Sequence, residues 1–250
     1  VIEPPPHPDE EHRLASLRRL GLLDTPPEER FDRVTRLAQR VFNVPIALIS
    51  LVDDDRQWFK SRQGLDATET SRAASFCGHA ILGADVLLVE NATLDVRFHD
   101  NPLVVDDPHI RFYAGAPIAS PDGSTLGTLC VIGREPREFD ADDVLALEEL
   151  ALMVEQEILI THLAMTDDLT GLSNRRGLML LGQQSLDVCG RGGLAAAVVF
   201  ADLDDFKPIN DALGHEAGDR ALRAAARAMT SAFRGADVIA RVGGDEFCVV

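Results

Sequence analysis

Asp202 and Asp204 stand two residues apart at the end of an apolar run, GGLAAAVVFADLD (192–204). On a strand, positions i and i+2 project to the same face, so the two carboxylates share a side. The Leu203 carbonyl adds a third oxygen, and three oxygens at a strand terminus suit a hard cation such as magnesium. A solvated turn is the plain alternative for an isolated D-x-D-D run. Further along, Gly243-Gly244 precedes Asp245-Glu246. Glycines at a hairpin turn accept positive φ and let a phosphate approach the backbone N–H groups. The acidic pair can hold a metal that neutralises that phosphate, although the same letters describe an ordinary hairpin. Cys77 and His79, read as one strand face, are only a two-ligand fragment. A buried thiol and a hydrogen-bonded imidazole suit them better than a metal. Lys207 stands out as one of two lysines in a chain with 22 arginines.

These side chains need elements to hold them. The run 192–204 ends as a buried strand, followed by a short helix around Pro208 to Leu213 and the loop GHEAGD. A longer helix then carries Leu222, Ala225, Ala226, Met229 and Phe233 on one face. VIARV (238–242) and EFCVV (246–250) flank Gly243-Gly244-Asp245 as a hairpin. The chain stops inside that apolar strand, which predicts a truncated domain.

The first half has a different pattern. Residues 1–8 read as a flexible tail, and Leu14, Leu17 and Leu20 mark an amphipathic helix that Gly21 ends. A second helix follows LLDTPPEE, with Asp24 or Thr25 as its cap. Strands are expected at 45–53, 57–64, 85–91, 110–118 and 127–133, with PDGS (121–124) turning between the last two. Trp58, Phe59 and Tyr113 read as core aromatics of these strands. Strands flanked by helices predict an antiparallel sheet with helical cover, an α+β domain. From Phe139 the period changes, and Val144, Leu147, Leu150, Ala151, Val154, Ile158, Thr161 and Met165 recur at helical spacing. That long helix runs without a breaker into TDDLTGLSNRR, and its stripe suits either its own domain or a twin.

The length of 250 residues fits two domains. The net charge of −17, most of it before Met165, opposes a nucleic-acid role, so no DNA partner is expected. No apolar run approaches the roughly 18 residues of a membrane span, and VIEPPPHPDEEH is not a signal peptide. Cys77, Cys130, Cys189 and Cys248 lie far apart without a CxxC, as expected of a reduced, cytoplasmic protein.

Three segments, DDLTGLSNRR (167–176), FADLDDFKPINDALGHEAGD (200–219) and RVGGDEF (241–247), occur in an order and spacing that resemble the GGDEF family of diguanylate cyclases. The resemblance implies a palm-like βααββ core that condenses two GTP molecules into cyclic di-GMP with release of pyrophosphate. It implies that Asp202, the Leu203 carbonyl and Asp245 ligate magnesium, with manganese as an alternative. Asp245 or Glu246 would help deprotonate the attacking 3′-hydroxyl, and Lys207 would stabilise phosphate charge. Asn210 and Asp219 would read the guanine edge, and Gly243 and Gly244 would meet the phosphates. Arg234 and Asp237, in RGAD, resemble the family's inhibitory site for its product. His215 would orient the loop. Two facing copies are required, so a homodimer is implied.

Residues 10–160 also resemble a GAF sensory domain, carried by LGLLDTPPEERFDRVTRLAQRVFNVPIALISLVDDDRQWFKS, SFCGHAI and RFYAGAPI...GTLCVIG. A small ligand of that domain is implied without its identity. The expected organisation is a tail and short helix over 1–20, a GAF-like sensory domain over 21–160 ending in the connector helix, and a truncated GGDEF domain over 161–250. Two other functions fit the same chain: a receptor that binds GTP or cyclic di-GMP without turnover, and a sensory and dimerisation fragment. Asp202, Lys207, Asn210, Asp219, Asp245 and Glu246 together favour the enzyme.

Overall fold

The computed structural model describes residues 2–235 and 237–250. The chain divides into two units, 1–159 and 160–250. The first begins with α1 (Glu10–Arg19) and α2 (Glu29–Val41), then β1 (Ile46–Val52), β2 (Arg56–Gln63) and β3 (Glu69–Ser71). Two short helices, α3 (Phe76–Ala80) and α4 (Pro102–Val105), bracket β4 (Leu87–Val89). The antiparallel pair β5 (Phe112–Ala119) and β6 (Thr125–Gly133) leads to the long helix α5 (Ala141–Met165). The six strands form one antiparallel sheet in the order β3-β2-β1-β6-β5-β4.

Alternation along the central strands splits the interior into two cores. Ala47, Ile49, Leu51, Leu129 and Val131 pack with α1, α2 and α5, while Ile46, Leu48, Cys130 and Ile132 pack with α3, α4 and their loops. β1 is therefore buried along its whole length. Gly21 adopts positive φ just past α1, as its position predicts. The α2 start differs from expectation. Its N-cap is Glu28, and Thr25 Oγ1 donates to the Leu22 carbonyl instead. The first residues lie against α3, where Pro4 packs on Gly78 and His79 Nε2 donates to the Ile2 carbonyl. Cys77 and His79 stand on a helix rather than a strand. Two positions apart on a helix point about 200° away from each other, so these side chains do not converge.

The apolar residues of α5 fall into two rows, one buried and one exposed. Leu147, Leu150, Ala151, Val154 and Ile158 are buried in the first unit's core. A second row, Leu145, Leu152 and Leu159 at seven-residue spacing with Met153, Ile160 and Leu163, is exposed.

The second unit comprises α6 (Arg175–Gly192), β7 (Val199–Asp202), α7 (Phe206–Leu213), α8 (His215–Ala232), β8 (Ile239–Arg241) and β9 (Glu246–Val249). The last five give the βααββ order, and the antiparallel sheet runs β7-β9-β8. Asn174 caps α6, its Oδ1 accepting from the Arg176 and Gly177 amides. Its Nδ2 donates back to the carbonyls of Ala164 and Thr166, tying α6 to the end of α5. Pro208 sits in the first turn of α7, where its missing N–H breaks no helical bond. A small core forms around Leu222, Ala226 and Phe247. Among the described residues, no helix is long and apolar enough to cross a membrane.

Candidate active site

Strand pairing assembles the acidic residues. Asp202, the last residue of β7, stands opposite Glu246, the first of β9. The next step of the ladder is the Leu203 amide donating to the Asp245 carbonyl at 3.3 Å. Opposed residues of an antiparallel pair project to one face, so Asp202 and Glu246 share a side. Both are exposed, and Asp245 is half-buried. Asp204 lies beyond the strand end and is exposed.

The turn between β8 and β9 is closed by the Val242 and Gly243 amides, both donating to the Glu246 carbonyl. Gly243 and Gly244 are not among the positive-φ residues, so the expected left-handed turn is not how these glycines are used. Close approach is the reason at Gly243, where an added Cβ would stand 2.4 Å from Glu246 Oε2. The Glu246 side chain thus folds back over the turn. Gly244 faces open space.

Arg241 holds this turn from behind. Its Nε and Nη2 donate to the Gly244 carbonyl at 3.1 and 2.7 Å, and Nη1 reaches both Asp167 oxygens at 3.2 Å. Asp167 also accepts from the Thr170 amide and hydroxyl. Burial pushes the Asp167 carboxyl up, but the Thr170 and Arg241 bonds outweigh it and hold it below its usual range. A bidentate arginine fixes orientation as well as charge, so DDLTG and the GGDEF turn form one rigid piece. Sequence reasoning gave neither residue a role, although both lie inside recognised segments.

Asn210 on α7 lies against Gly218 on α8, the residue before Asp219. The Gly214 amide donates to the Asn210 carbonyl at 2.9 Å, and Gly214 takes φ +81° between the helices. A Cβ on Gly218 would lie 2.0 Å from Asn210 Oδ1, so only glycine admits the carboxamide beside α8. Asp219 follows directly and is half-buried. Lys207 is exposed on the first turn of α7, and His215 is exposed at the start of α8. Among the described residues no ion pair joins the Arg234 guanidinium to the Asp237 carboxylate. Asp237 Oδ2 accepts from the Arg234 backbone amide at 2.8 Å, leaving the arginine side chain exposed.

The oxygens of Asp202, the Leu203 carbonyl and Asp245 make a donor set of the kind a hard cation takes. It consists of two carboxylates and a carbonyl. Among the described residues no three His, Cys, Asp or Glu side chains gather to hold a metal. The fit is therefore one of donor chemistry and strand register.

Fold and site together define an α+β chain in which an antiparallel-sheet unit precedes a palm-like unit with acids at its strand ends. The chain belongs to the GAF family, whose domain model matches residues 26–158, and it carries a GGDEF diguanylate cyclase domain matched over residues 164–250. Cyclic di-GMP phosphodiesterase PA2567 of Pseudomonas aeruginosa is 47% identical over 202 residues, 80% of this chain and 34% of that protein. Diguanylate cyclase DgcP of Escherichia coli is 35% identical over 155 residues, 56% of this chain and 46% of that protein. The GGDEF domain of DgcB from Caulobacter crescentus, crystallised in complex with c-di-GMP, is 32% identical with a TM-score of 0.33. That likeness covers 34% of this chain and 49% of the other. The chain spans less than half the length of each of these proteins.

Proposed function

We propose that the second unit is a diguanylate cyclase domain that condenses two GTP molecules into cyclic di-GMP and pyrophosphate under control of the GAF unit. The register that sets Asp202 opposite Glu246 and Leu203 against Asp245 carries this reading. Asn210 and Asp219 bind guanine, the amide and carboxylate answering its acceptor and donor edge. Gly243 and Gly244 let phosphate oxygens approach the turn, and Lys207 neutralises charge that develops on them. Magnesium or manganese would be held by Asp202, the Leu203 carbonyl and Asp245, and would supply Lewis-acid activation of the phosphate. Asp245 or Glu246 takes the 3′-hydroxyl proton. Product bound at Arg234 and Asp237 slows the enzyme, with the exposed guanidinium as its anchor. A cytoplasmic location, where GTP is available, goes with this reading.

One palm-like unit holds one GTP, so two copies must face each other, and proximity supplies much of the rate. The exposed row Leu145, Leu152 and Leu159 has the seven-residue repeat of a helix pair, which supports a homodimer through α5. The GAF unit, with its small ligand, would act on that pair. Incubating the full-length protein with GTP and magnesium, and measuring cyclic di-GMP by chromatography, tests the reading. Product from the parent and none from Asp245→Asn is the expected result.

A second reading follows from the relative named a phosphodiesterase. There the same site holds GTP without turnover and serves a different activity. Saturable GTP binding with no cyclic di-GMP formed would favour it.

A further inference from the structure

The core beneath α3 and α4 encloses two thiols from distant parts of the chain. Cys77 lies on α3 and Cys130 on β6, and their sulfurs are 3.9 Å apart. Both are buried and free. Their surroundings are more polar than an aliphatic core requires. Tyr113 donates its hydroxyl to Cys77 Sγ at 3.4 Å. The Ser50 and Thr128 hydroxyls, opposite each other on β1 and β6, also approach this sulfur. Thr128 Oγ1 is buried and has no hydrogen-bond partner among the described residues.

A neutral thiol is a weak acceptor, whereas a thiolate is a strong one. The Tyr113 donor and the unpartnered Thr128 hydroxyl beside one sulfur therefore suit a thiolate, while Ser50 donates to Gln57 Oε1. Burial pushes the Cys77 thiol up, but the adjacent Cys130 thiol and the hydroxyls around it outweigh burial and bring it below its ordinary range. Cys130 is held high, first by its bond to Cys77 and then by burial. Tyr113 donates to Cys77 Sγ, which makes Cys77 the sulfur better placed to carry charge.

We propose that Cys77 and Cys130 are a modifiable redox pair, in which a small peroxide oxidises Cys77 and Cys130 then closes a reversible disulfide. The Cys77 thiolate attacks one peroxide oxygen, the O–O bond breaks, and the products are a Cys77 sulfenic acid and hydroxide. Cys130 Sγ then attacks Cys77 Sγ. The S–O bond breaks as the S–S bond forms, and the leaving oxygen departs as water with the Cys130 proton. The sulfurs together lose two electrons, which reduce the peroxide to water. They must close by about 2 Å to bond, a movement that side-chain rotation and a shift of the five-residue α3 can supply. Both sulfurs are buried, so a small oxidant such as hydrogen peroxide suits the pair better than a bulky disulfide.

The test treats the folded 250-residue chain with hydrogen peroxide, blocks remaining thiols after unfolding, and maps peptides by mass spectrometry. Two of the four thiols should be lost, in a linked Cys77–Cys130 peptide that dithiothreitol reverses. Cys130→Ser should stop at a sulfenic acid on Cys77, trapped by dimedone, and Cys77→Ser should leave Cys130 as a free thiol. Oxidation confined to Cys189 or Cys248 overturns the proposal. So does a linked peptide that forms only after denaturant is added. Mapping the parent chain decides the matter even where a variant fails to fold.

Discussion

The two units use their charged residues in opposite ways. In the first, charges are spent on holding the fold. Glu10 is shared by Arg13 and Arg72, both buried, and Lys60 is buried against Glu28 and the Pro26 carbonyl. Ser61 and Thr35 hydroxyls link β2 to α2 beside Asp32. In the second unit, Asp202, Lys207, Asp219 and Asp245 make no ion pair among the described residues, and Arg241 with Asp167 is the pair that braces the turn. Groups already satisfied by the protein have little to offer a ligand, whereas unpaired charges at a strand end are available to one. The cores differ in the same direction. Two extensive cores cover both faces of the six-stranded sheet, while the three-stranded sheet rests on Leu222, Ala226 and Phe247.

The sharpest break of this contrast comes from the unpaired acids. Asp202→Asn or Asp245→Asn should lower cyclic di-GMP synthesis about a hundredfold or more, as removal of a group that stabilises transition-state charge does. Thermal unfolding should stay within about 0.5 kcal/mol of the parent, because no fold contact is lost. Near-parental product formation by either variant would remove these residues from the mechanism.

Phe247→Ala probes the smaller core. Truncating a fully buried phenylalanine costs about 3–5 kcal/mol. Calorimetry should show the second unit's transition lost and the first unit's retained. A uniform downward shift of both would mean that the units unfold as one.

The charges of the first unit should show in acid. Burial raises the Glu10 carboxyl, but Arg13 and Arg72 outweigh it and hold it at about 2, below the ordinary 4.5. A depressed folded value gives stability that is full above pH 4.5 and lost as pH falls towards 2. Glu10→Gln should lower the neutral-pH Tm of that unit by about 2–4 °C and flatten its acid limb, followed by circular dichroism. An unchanged acid limb would assign acid sensitivity to other carboxylates.

The smallest effect compares neighbouring glycines. Gly244→Ala meets open space and should leave both stability and activity close to parental. Gly243→Ala displaces the Glu246 carboxylate and should reduce product formation several-fold with the fold intact. Equal behaviour of the two variants would show that the Glu246 position over the turn is unimportant.

Much of this was legible in the sequence because period and turn chemistry are local. The βααββ order followed from apolar runs, and Gly21 past α1 followed from its backbone freedom. The short α3 was not legible, since five residues carry too little periodicity to separate FCGHA from a strand. The α2 cap was misplaced because Thr25 found a carbonyl partner in the turn before the helix.

By itself the sequence determined which residues could do chemistry, because the acidic residues follow apolar runs. Strand spacing did not carry Asp204 to the face of Asp202, since β7 ends at Asp202 and Asp204 lies in the turn beyond it. The sequence also determined that α5 is a long apolar helix. Tertiary structure alone decided that one α5 row is buried in its own unit while Leu145, Leu152 and Leu159 stay exposed. It alone set Glu246 across from Asp202, joined Arg241 to Asp167, and placed Cys77 against Cys130. Each of these contacts joins residues far apart in sequence. Local propensity cannot encode such contacts, because register and packing are fixed only when the whole sheet closes on its core.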